Sequence, residues 1–337
     1  MSPALPFLEI APFAFFTALT LTPLTWRLAR ATGYVDHPDP RRAHANPTPL
    51  LGGVAIAVTL VLAPVLARVA GVSAVAAPSM GLVAGALIVL ALGLIDDKRP
   101  LGVRGKLTGQ IAAAACLIWW GTEVPALREN PFLGSVALLG VLTLLNAINF
   151  LDNMDGILGA LIPVTAGGYV ALALIHGAPV QLALGWGLIG ACAGFLVYNA
   201  PPARIFLGDA GSHLLGFALA ALALQSLQES LTWPHVASVL VILAYPLFDV
   251  IFVVWDRLLG HRPIYVGGID HTTHRLGKVF GRWGAIAFVT VINLINAMFG
   301  VWIWGRSDPL SIVVALTVSA LAYTLFGVVL RHIRPTA

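Results

Sequence analysis

The chain has 337 residues, of which 58% are hydrophobic and only 10% charged, with a formal net charge of +4 and a mean hydropathy of +0.90. Globular domains carry about 25% charged residues, so a soluble fold is excluded, and disorder, which needs low hydrophobicity, is excluded with it. The basic residues are dispersed between apolar runs and form no basic domain, so nucleic acid is not an expected partner.

A bilayer-spanning helix needs about 20 apolar residues. Eleven spans are expected, near Ile10–Leu28, Leu51–Val69, Ser79–Ile95, Leu107–Gly121, Leu133–Phe150, Ile157–Ile175, Val180–Tyr198, Gly211–Leu227, Val236–Trp255, Gly284–Trp304 and Leu310–Leu330. The fourth is short and polar at its start, and the third and fifth end in polar residues. The expected fold class is therefore an all-α polytopic integral membrane protein, with one domain over residues 1–337. The N-terminus lacks a basic start and a small-residue cleavage site, so the first span is expected to be retained. Cys116 and Cys192 both lie in apolar runs and read as small buried hydrophobes.

Charge asymmetry orients these spans. With the N-terminus outside, only Arg68, Arg128 and Arg306 of the 19 Lys+Arg fall outside, which leaves 16 at the cytoplasmic face. The acids also sort: Glu9, Glu123, Glu129, Glu229 and Asp308 fall outside, and the other ten of the 15, all Asp, lie at or near the inner face. Short carboxylates among many cations on one face suit a metal and a phosphorylated ligand.

Four groups carry the chemistry. Asp96-Asp97 ends the third span; one carboxylate can bind a metal while the other accepts a proton, or the pair simply starts a solvated loop. In NAINFLDNMDG, Asn146, Asn149 and Asn153 share a helix face, with Asp152 and Asp155 three residues apart. Polar groups at membrane depth line interior sites or join helices. Asn199 precedes PPARIFLGDAGSH, where Asp209 sits at a helix start. It either caps that helix or holds a cation against phosphate. In the loop 256–283, Arg257, His261, Arg262, Asp270, His271, His274 and Arg275 can contact a diphosphate, anionic lipid heads or, by the His-x-x-His spacing, zinc. Asp249, inside the ninth span, needs a basic or Asn partner. HANPTPLLGG (His44–Gly53) reads as a shaping turn or a helix start. No internal repeat is visible, which weakens a transporter reading.

Four blocks, PTPLLGG, DDKRPL…GKLTGQ, NAINFLDNMDG and NAPPARIFLGDAGSHLLGF, in this order resemble the polyprenyl-phosphate N-acetylhexosamine-1-phosphate transferases, over about Asp36–Arg275. DNMDG stands where the family more usually has DGxDG, and DHTTHR replaces a longer histidine run, which points to the WecA-like branch. The resemblance implies Mg2+-dependent transfer of a sugar-1-phosphate, most simply GlcNAc-1-phosphate, from a UDP-N-acetylhexosamine to undecaprenyl (polyprenyl) phosphate. Mn2+ is expected to substitute. UMP is released, in the first membrane step of a cell-envelope polysaccharide pathway. The expected location is the inner (cytoplasmic) membrane, with a homodimer among the assemblies allowed. It implies Asp96 and Asp97 as catalytic, and Asp209 and Asp152 as metal ligands. Asn149, Asp155, Asn199, Phe206, His271, His274 and Arg275 would meet nucleotide and sugar, and Lys106 and Asn146 the lipid phosphate. A transporter of anionic substrates is the alternative. A CDP-alcohol phosphatidyltransferase is set aside because its spaced motif is missing.

Overall fold

A computed structural model describes residues 5–36, 47–71, 77–228, 231–263 and 268–333. Arg41, Arg42, His44, Glu229 and Arg334 lie outside the described residues. The elements are α1 (Leu5–Leu8), α2 (Ile10–Thr32), β1 (Val35–Asp36), β2 (Thr48–Pro49), α3 (Gly52–Val69), α4 (Met80–Lys98), α5 (Val103–Cys116), α6 (Pro125–Glu129), α7 (Pro131–Leu151), α8 (Ile157–His176), α9 (Pro179–Asn199), α10 (Gly208–Ser226), α11 (Trp233–Ile242), α12 (Ala244–Leu259), α13 (Thr272–Trp304) and α14 (Pro309–Arg331). A π turn, Leu117–Gly121, continues α5. The antiparallel β1–β2 pair (Val35 opposite Pro49) is the sole sheet among the described residues.

Each of the eleven expected segments falls on helix. Seven helices (α3, α4, α7, α8, α9, α13 and α14) are long and apolar enough to cross a membrane, or eight if the bent pair α11–α12, which turns by 74°, is one span. This makes the chain a polytopic all-α membrane protein. The other three segments are the short α5 and the more polar α2 and α10. For α10 the reason is its position: 17 of its 19 residues are buried, so it packs against protein and needs no lipid-facing surface.

Local chemistry sets the ends. Asn130 Oδ1 accepts the Phe132 and Leu133 N–H groups, with Pro131 in the first turn of α7. Gly33, at φ +75°, stops α2 in the left-handed conformation that glycine tolerates. Gly281 (φ 70°, ψ 172°) breaks α13, so that its first turns, carrying Thr272–Phe280, leave the axis of the apolar remainder. Close packing brings the start of α10 against α3 and α4. A Cβ on Gly53 would collide with Gly211 N, and one on Gly93 with Ala210 Cα.

Hydrogen bonds gather the polar ends at one end of the bundle. Gly52 N–H and Gly53 N–H donate to Phe206 O and Leu207 O at 3.0 and 2.9 Å, and Phe206 N–H donates to Pro49 O at 2.8 Å. The PTPLLGG turn and the segment before α10 therefore hold each other.

Candidate active site

Asp209, in the first turn of α10, is the hub. Lys106 Nζ, near the start of α5, lies 2.8 Å from Asp209 Oδ2 and 2.6 Å from Asp96 Oδ2 at the end of α4. Asn149, in the last turn of α7, donates from Nδ2 to Asp209 Oδ1 at 2.9 Å and to Ser212 Oγ at 2.8 Å. Leu101 N–H donates to Asp96 Oδ1 at 2.6 Å. Four helix ends thus present two carboxylates, one ammonium and one amide to each other.

Asp97 has another task. Its Oδ1 accepts Asp209 N–H at 2.8 Å and its Oδ2 accepts Ala210 N–H at 3.3 Å. Asp97 therefore caps α10 from α4, supplying a negative charge where the helix start favours one. Asp97, expected to be catalytic beside Asp96, thus has both oxygens on the backbone that carries Asp209. The capping alternative for Asp209 itself fails for the same reason, because α10 makes no side-chain cap of its own. Gly208, at φ +71°, permits the arrangement; a Cβ there would meet Asp97 Oδ2 and Leu50 O, each at 2.6 Å.

A neutral relay supports the hub. Gln110 and Asn146 exchange amide bonds at 3.2 and 3.0 Å, and Asn146 Nδ2 also donates to Leu142 O at 2.7 Å. His213 Nδ1 lies 2.7 Å from Asp209 O, so it carries the proton, and Nε2 accepts from Gln110 Nε2 at 3.0 Å. Asn146, expected at the lipid phosphate, is thus engaged within the bundle. Gln110, Ser212 and His213 were not singled out in the sequence. Spacing could have found them: Lys106 and Gln110, like Asp209 and His213, are one helical turn apart.

Asp152 follows α7. Burial, with the facing carboxylates of Asp209, Asp97 and Asp155, pushes its carboxyl up to about 8. Asp155 Oδ2 accepts Ala203 N–H at 3.1 Å and lies 3.4 Å from Arg282 Nη1. Asn199 is buried and used on both sides: Oδ1 accepts Gly156 N–H at 3.0 Å, and Nδ2 donates to Ile205 O at 2.9 Å. Asn199, expected on the nucleotide side, clamps two loops together. Phe206 is half-buried on the segment that this clamp holds.

The histidine loop closes the same end. The fully buried Asp249 accepts His271 Nδ1–H at 2.7 Å, Thr272 N–H at 2.8 Å and Thr272 Oγ1–H at 2.6 Å. This is the basic partner expected for Asp249, and it fixes the His271 tautomer, leaving Nε2 as the free ring nitrogen. His274 Nδ1 is buried without a partner among the described residues. Thr273 Oγ1 donates to Asn153 Oδ1 at 2.6 Å, so the two places where the motifs depart from the family pattern touch each other. Arg275, expected to meet nucleotide or sugar, is braced by protein groups. Its Nη2 lies 2.6 Å from Asp256 Oδ2, and its Nη1 donates to Leu330, Arg331 and Ile333 O at 3.1–3.2 Å. Asp270 sits between Arg257 and Arg262, whose guanidiniums hold its carboxyl below the usual range although burial pushes it up. Among the described residues no group of three His, Cys, Asp or Glu is arranged to hold a metal, which leaves zinc unsupported.

Residues 79–227 match the family described as glycosyl transferase family 4. The chain is 32% identical over 297 residues to a probable undecaprenyl-phosphate N-acetylglucosaminyl 1-phosphate transferase of Bacillus subtilis (strain 168), covering 86% of this chain and 81% of that protein. The chain belongs to glycosyl transferase family 4. Membership bears out the resemblance carried by the four blocks. A phospho-N-acetylmuramoyl-pentapeptide-transferase of Symbiobacterium thermophilum is 33% identical over 281 residues, 73% of this chain and 81% of that protein. The decaprenyl-phosphate N-acetylglucosaminephosphotransferase of Mycobacterium tuberculosis (strain H37Rv) is 35% identical over 222 residues; the match covers 58% of this chain and about half (54%) of that protein.

Proposed function

We propose that this family 4 chain transfers GlcNAc-1-phosphate from UDP-GlcNAc to undecaprenyl or another polyprenyl phosphate, yielding polyprenyl-diphospho-GlcNAc and UMP. The observation that carries the reading is the Lys106 bridge between Asp96 and Asp209, at the end of the bundle where the loops of α7–α8, α9–α10 and α12–α13 meet. The Bacillus subtilis relative supports the sugar by its name. In this reading the eleven helical segments thread an inner membrane, with the N-terminus outside and this end at the cytoplasm.

The reaction joins two anions, so it needs positioning and charge neutralisation more than covalent chemistry. A phosphate monoester has a second pKa of about 6, so the acceptor is largely dianionic at neutral pH. Asp96 therefore acts mainly by placing Lys106, whose ammonium attracts the acceptor phosphate. Asp97 holds the start of α10 so that Asp209 faces the diphosphate. His271 presents Nε2, with Asp249 fixing its orientation, and His274 has an unused buried nitrogen for the same ligand. Asp155 and Phe206 frame the nucleotide side.

The oxygen-only donor set of Asp209 and Asp152 fits Mg2+, with Mn2+ as a substitute, because Mg2+ takes one or two carboxylates and completes its shell with water and phosphate. Burial and, after it, the facing carboxylates raise the Asp152 carboxyl, and a cation held between the acids would offset both. The ion would supply neutralisation of the diphosphate charge.

A transporter is not favoured, since the polar residues gather at one end of the bundle and not at mid-depth. The test is UMP release by purified protein in detergent from UDP-GlcNAc and undecaprenyl phosphate, with Mg2+ or with EDTA. UMP formation that needs both lipid and Mg2+ is expected. Absence of UMP with every UDP-N-acetylhexosamine would overturn the reading.

A further inference from the structure

A cavity of about 540 Å3 opens beside the last turns of α2, lined by Trp26, Arg30, Val35, Pro49, Ala203 and Arg204, among others. None of these residues belongs to the set that meets at Asp209. The Arg30 guanidinium lies over the Trp26 ring, 4.9 Å from its centre, which keeps the charge at the cavity wall. Arg204 is anchored through its backbone N–H, which donates to Tyr198 O at 2.9 Å. Among the described residues neither Arg30 nor Arg204 has a carboxylate partner, in contrast to Arg257, Arg262, Arg275, Arg282 and Arg331 at the same end of the bundle.

Two arginines line one cavity, and an anion bound there would offset the repulsion between their like charges. Arg forks match phosphate oxygens. Beside them stand Trp26, a residue type that settles at headgroup depth, and the apolar Val35, Pro49 and Ala203. A phosphate with a hydrocarbon neighbour suits that mixture better than a free ion does.

We propose that this cavity binds the phosphate headgroup of an anionic phospholipid, at a site separate from the Asp209 cluster. The site borders the catalytic end through its walls. Pro49 O accepts Phe206 N–H at 2.8 Å, and Ala203 N–H donates to Asp155 at 3.1 Å. A bound headgroup therefore steadies the two segments that frame Phe206 and Asp155.

The test reads binding, so it is independent of the proposed reaction. The purified full chain is examined by native mass spectrometry with phosphatidylglycerol, phosphatidylcholine, undecaprenyl phosphate or inorganic phosphate added in turn. Phosphatidylglycerol is expected to be retained at one site. The double variant Arg30→Gln/Arg204→Gln should weaken retention by at least about tenfold, the equivalent of one charge-assisted hydrogen bond. Arg30→Lys/Arg204→Lys should keep most of it, which separates loss of charge from loss of fold. Arg306→Gln is the control, because Arg306 also lies over a tryptophan, 4.4 Å from the Trp302 ring centre, but lines no part of this cavity. Equal retention of phosphatidylcholine, an unaffected Gln double variant or an equal loss in Arg306→Gln would overturn the proposal. Displacement of phosphatidylglycerol by inorganic phosphate would assign the cavity to free anions, and displacement by undecaprenyl phosphate would assign it to the acceptor; either result also overturns it.

Discussion

Replacing Gly208 by alanine tests whether the Asp97 cap is what aims Asp209. Gly208 has φ +71°, and the left-handed region costs a non-glycine residue roughly 1–2 kcal/mol. The added Cβ would also meet Asp97 Oδ2 and Leu50 O at 2.6 Å each. Leu50 O is backbone and cannot turn aside. Either Asp97 leaves the Asp209 and Ala210 N–H groups, at about 1–3 kcal/mol for each donor left buried and unpaired, or the start of α10 moves. A displacement of about 1 Å in a positioned group costs on the order of 10²-fold in rate. The assay is UMP release at saturating substrates, beside thermal unfolding in detergent. Gly102→Ala serves as control, since a Cβ at Gly102 has nothing within 4 Å. A Gly208→Ala protein with the wild-type rate and the wild-type unfolding temperature would refute the argument.

Three further outcomes follow from the same geometry. Lys106→Met removes the ammonium held 2.6 and 2.8 Å from Asp96 and Asp209; kcat should fall on the order of 10²–10³-fold, with partial recovery in Lys106→Arg, measured by steady-state kinetics on both substrates. Asp249→Asn places an amide donor against His271 Nδ1–H while the Thr272 bonds to the other oxygen remain; the ring loses its fixed tautomer, and kcat should drop on the order of 10²-fold without loss of fold. Because the Asp152 carboxyl sits at about 8, protons compete with the cation below that pH. Apparent Mg2+ affinity should therefore rise by up to about tenfold per pH unit towards pH 8 and then level off, and Asp152→Asn should flatten the profile in a Mg2+ titration of UMP release. Without the cation the raised carboxyl works the other way: its contribution to stability is present below the ordinary carboxylate pKa and is lost as pH rises through about 8.

The helices were legible because lipid-facing segments must be apolar throughout. The segments on α3, α4, α7 and α14 stand out for that reason, and α10 less so because it is wrapped in protein. Part of the polar cluster, Asp96, Lys106, Asn149 and Asp209, was legible as well, since carboxylates and amides at membrane depth are costly to keep, whereas Gln110, Ser212 and His213 were not. What each residue does there was not. Asp96 and Asp97 are neighbours in sequence, yet one faces Lys106 while the other faces the backbone of α10, more than 100 residues away. That division depends on where a distant helix starts, which local spacing does not encode. Residue type alone leaves Asn199 and Arg275 open as well, because a buried amide or guanidinium suits a ligand or the joining of loops equally, and here both join loops.

The Arg275 bonds to the carbonyls of Leu330, Arg331 and Ile333 bear on the order in which the protein becomes competent. Synthesis runs from the N-terminus, so the histidine loop is made long before the carbonyls that brace it. Until α14 is in place, Arg275 lacks three of its acceptors, and the turn carrying His271 and His274 is held from one side only. The last helix thus acts as a keystone: a nascent chain holding every catalytic residue still waits for its final turns before the loop is secured.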